Sequence, residues 1–179
     1  MFFGLDVASS HFKTPRGYQI KDRSAPFQSN EFVEYFANLH SKYRLLLLED
    51  PLGEDDWEGW TKITGDLGAD ILIVGDDLLA TNQQRLQRAI TEKACSAILL
   101  KPNQIGTLSE FLAVVALAKA NDIKTIVSHR SGETNDAFIA DLAVAVQSDY
   151  VKFGAPARGE RVAKYNRLLQ IESELQSKL

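Results

Sequence analysis

Between positions 70 and 77 the chain reads Asp-Ile-Leu-Ile-Val-Gly-Asp-Asp, four branched apolar side chains in a row closed off by two carboxylates. A run this short, with turn residues on both sides, predicts a strand buried on both faces. The pattern returns along the chain. Phe2, Phe3, Gly4 and Leu5 lead to Asp6, and the four leucines at 45–48 lead to Glu49 and Asp50. Ala97, Ile98, Leu99 and Leu100 lead to Lys101; Thr125, Ile126, Val127 and Ser128 lead to His129 and Arg130; Tyr150 and Val151 meet Lys152. Charge just past a parallel strand sits at the C-terminal rim, where open α/β sheets and barrels place their chemistry. The first three strands deliver carboxylates to that rim and the last three deliver cations.

The segments between the runs read mostly as helices. Phe32, Tyr35, Phe36 and Leu39 have core-facing spacing in a helix starting near Asn30. Acids at 54–58 suit the positive end of a short helix beginning there. Thr81 has capping-box spacing for a helix reaching about Lys93, and Thr107 with Glu110 forms a second such box. The helix after it places Leu108, Phe111, Leu112, Val115 and Ala118 on one face. Phe138, Leu142 and Val146 mark the next helix, and Val162, Tyr165, Leu168, Leu169 and Leu175 the last. Residues 8–29 read as a long loop or small hairpin, and such excursions on an α/β rim often carry substrate contacts.

Continuous β–α alternation means a parallel sheet with helices outside it. A complete (β/α)8 barrel has eight strands and typically about 250 residues. About six strands in 179 residues therefore predict an α/β fold of the incomplete TIM-type barrel kind, one domain over 1–179. Two apolar strand edges are left open, a liability that something else must cover.

Composition narrows the function. A net charge of −4 without a Lys/Arg cluster argues against nucleic acid as a partner. No apolar run reaches the ~18 residues a membrane span needs. The opening stretch lacks a basic n-region, so it does not read as a signal peptide. The single cysteine, Cys95, suits a reducing compartment and reads as an inert packed thiol. The expectation is a soluble cytoplasmic domain.

Asp6, Glu49 and Asp76 each end a strand, so the fold can bring three carboxylates together. Like charges at close range need a cation, and an all-oxygen set suits a hard ion such as Mg²⁺. Asp50 and Asp77 are alternative ligands or neighbours of ligands; the acids could equally cap helices or solvate the rim. Lys101 would face the same centre. Positive charge nearby, from Lys152 and a metal, would disfavour its ammonium form and make it a usable general base. A merely solvated lysine is the competing reading. Arg130, Ser131 and Gly132 offer a guanidinium fork, a hydroxyl and a flexible backbone, equipment for phosphate or carboxylate. His129 reads as a substrate or lid contact rather than a metal ligand, and His11 and His40 read as surface or loop residues. Together these residues point to metal-assisted proton abstraction beside a carboxylate, with a lysine base.

Six stretches carry a resemblance to a known family: G-L-D-V-A-S-S at 4–10, E-D-P-L-G-E-D-D-W-E-G-W at 49–60 and V-G-D-D-L at 74–78, then L-K-P-N-Q-I-G-T-L-S-E at 100–110, S-H-R-S-G-E-T-N-D at 128–136 and K-F-G-A-P-A-R-G-E-R at 152–161. The chain resembles the C-terminal barrel portion of enolase (phosphopyruvate hydratase) to about Leu175. The resemblance implies conversion of 2-phospho-D-glycerate to phosphoenolpyruvate and water, in glycolysis and gluconeogenesis, with Mg²⁺. By position, Asp6, Glu49 and Asp76 match the metal ligands and Lys101 the base at C2. Arg130 and Ser131 match the surroundings of the substrate phosphate, Lys152 the lysine near its carboxylate, and His129 a mobile-loop contact. Enolases are commonly dimers or larger.

The chain departs from the family at His11, where an acid is usual. The family's N-terminal capping domain and first barrel strands, which carry the general acid, have no counterpart in these residues. The isolated chain is therefore expected to need an N-terminal complement for dehydration. The alternative is an inactive enolase remnant that persists as a binding or interaction module.

Overall fold

The computed structural model describes residues 2–177. Among them the chain begins with β1 (Phe3–Asp6), a 3-10 turn (Ser9–Phe12) and a hairpin of β2 (Lys13–Thr14) and β3 (Gly17–Tyr18). Then come α1 (Ser29–Tyr43), β4 (Leu45–Glu49), α2 (Trp57–Leu67), β5 (Leu72–Gly75), α3 (Gln83–Glu92) and β6 (Ala97–Leu100). The one-turn α4 (Pro102–Ile105) precedes α5 (Leu108–Ala120), β7 (Lys124–Ser128), α6 (Phe138–Ala145), β8 (Tyr150–Lys152) and α7 (Gly159–Gln176). Six strands form one parallel sheet in the order β1-β4-β5-β6-β7-β8. No described helix is long and apolar enough to cross a membrane.

The period of two along each strand sorts the side chains into two cores. Leu48, Ile73, Ile98, Leu100 and Val127 face outward and join the main core under the helices. Leu47, Leu72, Val74, Ala97, Leu99 and Ile126 form a second, smaller cluster on the opposite face. Counting two residues onward from Leu47, Val74, Leu99 and Ile126 gives Glu49, Asp76, Lys101 and Ser128. The alternation that fills the inner face thus also decides which polar side chain crowns each strand.

The sheet is not flat. Asp6 and Lys152 end its two edge strands, and five inter-strand steps of ~4.8 Å would hold flat strands roughly 24 Å apart. Lys152 Nζ nevertheless lies 2.9 Å from Asp6 Oδ2. The six strands curl into a partial barrel whose open ends meet at the rim. Both edges remain exposed below it, with Phe3 59% and Tyr150 44% accessible. The expected incomplete TIM-type barrel is the fold found.

The excursion at 8–29 is a small hairpin, pinned by aromatic packing. Phe32 of α1 stacks against Tyr18 and Phe27. The Tyr18 hydroxyl donates to Asp56 at 2.6 Å and accepts from the Gly53 N–H at 2.9 Å. Burial first, and the Asp56 carboxylate second, push the phenol well above its usual range. Asp56 also accepts from the Gly59 N–H as the N-cap of α2.

Three sequence expectations need correcting. The cap of α3 is Asn82, whose Oδ1 accepts from the N–H groups of Gln84 and Arg85. Thr81 is buried one residue earlier with φ 52°, and its hydroxyl is committed elsewhere. The buried face of α5 is Phe111, Val114, Val115 and Ala118, while Leu108 and Leu112 are half exposed. An apolar helix leaves several candidate stripes, and only docking selects one. In α7, likewise, Leu169 and Leu175 face outward and the fully buried side chain is Lys164.

Candidate active site

A cavity of about 480 Å³ opens at the rim, with Asp6, Asp76 and Asp77 on its acidic side. Lys101 and Lys152 also line it, in contact with Asp76 and Asp6, and His129, Arg130 and Ser131 complete the wall. Glu49 lies behind Lys152 and is almost completely buried. All eight residues singled out from the sequence thus come to one end of the barrel. His11, read as a surface residue, is exposed but also borders the cavity.

The carboxylates are drawn together by ammonium groups. Lys152 Nζ lies 2.7 and 2.8 Å from the two oxygens of Glu49 and 2.9 Å from Asp6. Burial raises the Glu49 pKa, and Lys152 only partly offsets this. Burial acts against the Lys152 ammonium as well, but its bonds to Glu49 and Asp6 more than reverse that and raise its pKa. Lys101 Nζ pairs with Asp76 Oδ2 at 2.5 Å. The backbone N–H of Lys101 donates to the Thr81 hydroxyl, which itself donates to Gln104. This explains why Thr81 is not free to cap α3.

Asp50 holds the turn after β5. With φ at 42°, it aims its carboxylate at the backbone N–H groups of Asp76 and Asp77, each 2.9 Å away. Burial pushes its pKa up to about 7, against the pull of those two bonds. Oxygens of Asp50, Asp76 and Asp77 lie within 4.8 Å of one another. Those of Asp50 are spent on the backbone, so it is a bracket for the turn rather than a free ligand. Asp76 differs: its Oδ1 is buried with no hydrogen-bond partner. A buried carboxylate oxygen left unpaired is costly, and a hard cation is the partner that oxygen chemistry suits. That one Asp76 oxygen suits such an ion; among the described residues the carboxylates grouped around it are Asp50 and Asp77, whereas Asp6 and Glu49 are held by Lys152.

The opposite wall is built on the loop after β7. The His129 N–H donates to the Lys152 carbonyl, tying this loop to the end of β8. Arg130 donates from Nη1 to Asn103 Oδ1 at 3.0 Å, and its own N–H reaches Glu133. Burial, then the charges of Arg161 and Lys152, lower the His129 pKa. Gly154 has φ +85°, and a Cβ there would come within 2.9 Å of His129 Cε1 and 3.0 Å of Arg161 Cδ. A side chain at 154 would displace the ring. Arg161 and Lys164, both on α7, carry no signal in sequence spacing that places them on this loop; they emerge only from the packing.

The family model for the enolase C-terminal TIM barrel domain matches residues 1–179. The enolase of a Nitratiruptor species is 50% identical over 171 residues, which cover 96% of this chain and 41% of that protein. The enolase of Wolinella succinogenes is 49% identical over 172 residues, with the same 96% and 41% coverage. The chain thus spans about two-fifths of the length of the curated relatives it matches.

Proposed function

The chain belongs to the family of enolase C-terminal TIM-barrel domains, and on that premise we propose that its rim performs the proton-abstraction chemistry of 2-phospho-D-glycerate dehydration. Lys101 is the base that takes the C2 proton. Arg130 and Ser131 hold the phosphate, Lys152 the carboxylate end, and His129 closes over the substrate from the loop. Asp6, Glu49 and Asp76 would hold Mg²⁺, which when bound offsets the negative charge that builds on the substrate carboxylate as C2 loses its proton. What supports the reading above all is that Lys101 and Arg130, from adjacent strands β6 and β7, face one cavity. In this reading the two act on the same small molecule, one as base and the other as anion holder. Lys101 pairs with Asp76 at the rim, and to act as the base it must leave that contact.

Completing the dehydration also requires an acid for the departing hydroxyl, a contribution worth ~10²–10⁴-fold. In this reading the chain is the C-terminal barrel portion. The acid, the capping domain and the first barrel strands come from outside these residues, in a cytoplasmic homodimer.

The first step can be tested without the second. In D₂O with Mg²⁺, the full chain should exchange the C2 hydrogen of 2-phosphoglycerate, followed by proton NMR, and Lys101→Ala should not. Undiminished exchange in that variant would remove Lys101 as the base.

The exposed apolar edges of β1 and β8 favour a second reading, an inactive remnant that works as an interaction module. A wild-type chain that neither exchanges the C2 hydrogen nor binds the phosphate ester would favour it.

A further inference from the structure

Arg161, near the start of α7, places its guanidinium against three consecutive residues of the loop after β7. Nη1 lies 2.7 Å from His129 Nδ1 and donates to the Arg130 carbonyl at 2.8 Å, while Nη2 donates to the Ser131 carbonyl at 2.9 Å. Three residues further along α7, Lys164 is fully buried and continues the grip. Its ammonium donates to the Thr134 carbonyl at 2.6 Å and pairs with Glu133 at 3.3 Å. The whole stretch 129–134 is thus hung from one helix by two cations.

Guanidinium has five N–H donors and no acceptor, so against His129 Nδ1 it can only donate. Nδ1 must then be the unprotonated nitrogen, and the ring proton sits on Nε2. A planar fork is also what spans several acceptors at fixed spacing, which a single ammonium cannot do. Gly154, where any Cβ would strike both His129 and Arg161, keeps the two in contact.

We propose that Arg161 is the positioning residue of this loop: by donating to His129 Nδ1 and to the Arg130 and Ser131 carbonyls, it fixes the loop's path and locks His129 as the Nε2–H tautomer. His129 then has no free lone pair with which to accept a substrate proton, and base chemistry falls to the lysine side of the cavity. Arg161 has its donors turned toward the loop and is not among the groups lining the cavity. The effect on ligand binding rests on the anion-loop reading given above; the tautomer does not.

The test uses the full chain. Nitrogen-15 NMR of His129 without ligand should show Nε2 protonated and Nδ1 unprotonated and hydrogen-bonded; a ring protonated on Nδ1 would overturn the proposal. In Arg161→Lys, which keeps the charge and loses the fork, amide exchange over 129–134 should accelerate at least tenfold. Inorganic phosphate should bind that variant at least tenfold more weakly. Unchanged exchange and unchanged phosphate affinity would overturn the positioning role. Should the variant fail to fold, the wild-type tautomer still decides the matter. Arg130→Ala serves as the separate control: if it binds phosphate like the wild type, the anion-loop reading fails while the tautomer result stands.

Discussion

Glu49 Oε1 and Lys152 Nζ are 2.7 Å apart, although three strands, β5, β6 and β7, lie between the strands that carry them. This contact exists only because the sheet curls, and it holds the curl at the rim. Glu49 has a side chain only 5% exposed, against 34% for Lys152. The acid depends on the lysine far more than the reverse.

Lys152→Met should therefore destabilise the chain. Removing one partner of a fully buried pair costs ~3–5 kcal/mol; solvent at the lysine reduces this to about 1–3 kcal/mol. Thermal melting should fall by roughly 2–12 °C. Without its ammonium, Glu49 has a folded pKa raised still further by burial. Such a group stabilises the fold below its unfolded pKa and loses that contribution as pH rises through the folded pKa. The deficit should be largest at neutral pH and shrink toward about pH 4. A deficit that grows on acidification contradicts the pairing.

Asp50 gives a second pH handle. Its folded pKa of about 7 exceeds the unfolded ~3.9, so the folded chain holds a proton that the unfolded chain has already released. Its contribution to stability is complete below pH ~3.9 and is lost as pH rises through about 7. Carboxyl carbon-13 NMR should place its midpoint near 7. Asp50→Asn should flatten this part of the stability profile. One oxygen then faces two N–H groups, and the unpaired one costs about 1–3 kcal/mol.

Mg²⁺ should stabilise the chain through the Asp76 carboxylate. At a hundredfold excess over its Kd, a ligand of the folded state adds ~2.7 kcal/mol, which corresponds to roughly 5–11 °C in melting temperature. EDTA should reverse the shift and Asp76→Asn should abolish it. An equal shift in that variant would place the ion elsewhere.

Cys95 should be inert in the native state. It is 4% exposed, and burial pushes its thiol up to about 12. At pH 8 only about one molecule in ten thousand would carry the thiolate that reacts. Iodoacetamide labelling should be at least ~10³-fold faster in urea than in buffer; comparable rates would contradict the burial.

Much of this was legible in the residues. Apolar runs such as Leu45 to Leu48 are too short for helices and too apolar for a half-exposed strand, and a charge closes each one. That was enough for the strands, their parallel order and the rim. The buried stripe of α5 was not legible, because Leu108 and Val114 are equally apolar and only the packing of α5 selects between them. Thr81 was misread for a related reason. A hydroxyl caps whichever group it meets, and here the partner, the Lys101 N–H, lies twenty residues away.

The sequence by itself determined the element order, the alternating faces and the identity of the charged strand ends, since these depend on side-chain type and on a period of two along the chain. Tertiary structure alone decided that Lys152 would close on Glu49 and Asp6, that Asp50 would bracket the turn bearing Asp76, and that Arg161 would seize the loop at 129–131. Curvature of the sheet and docking of α7 set those contacts. Both are sums over many distant interactions, and no local pattern of residues encodes such a sum.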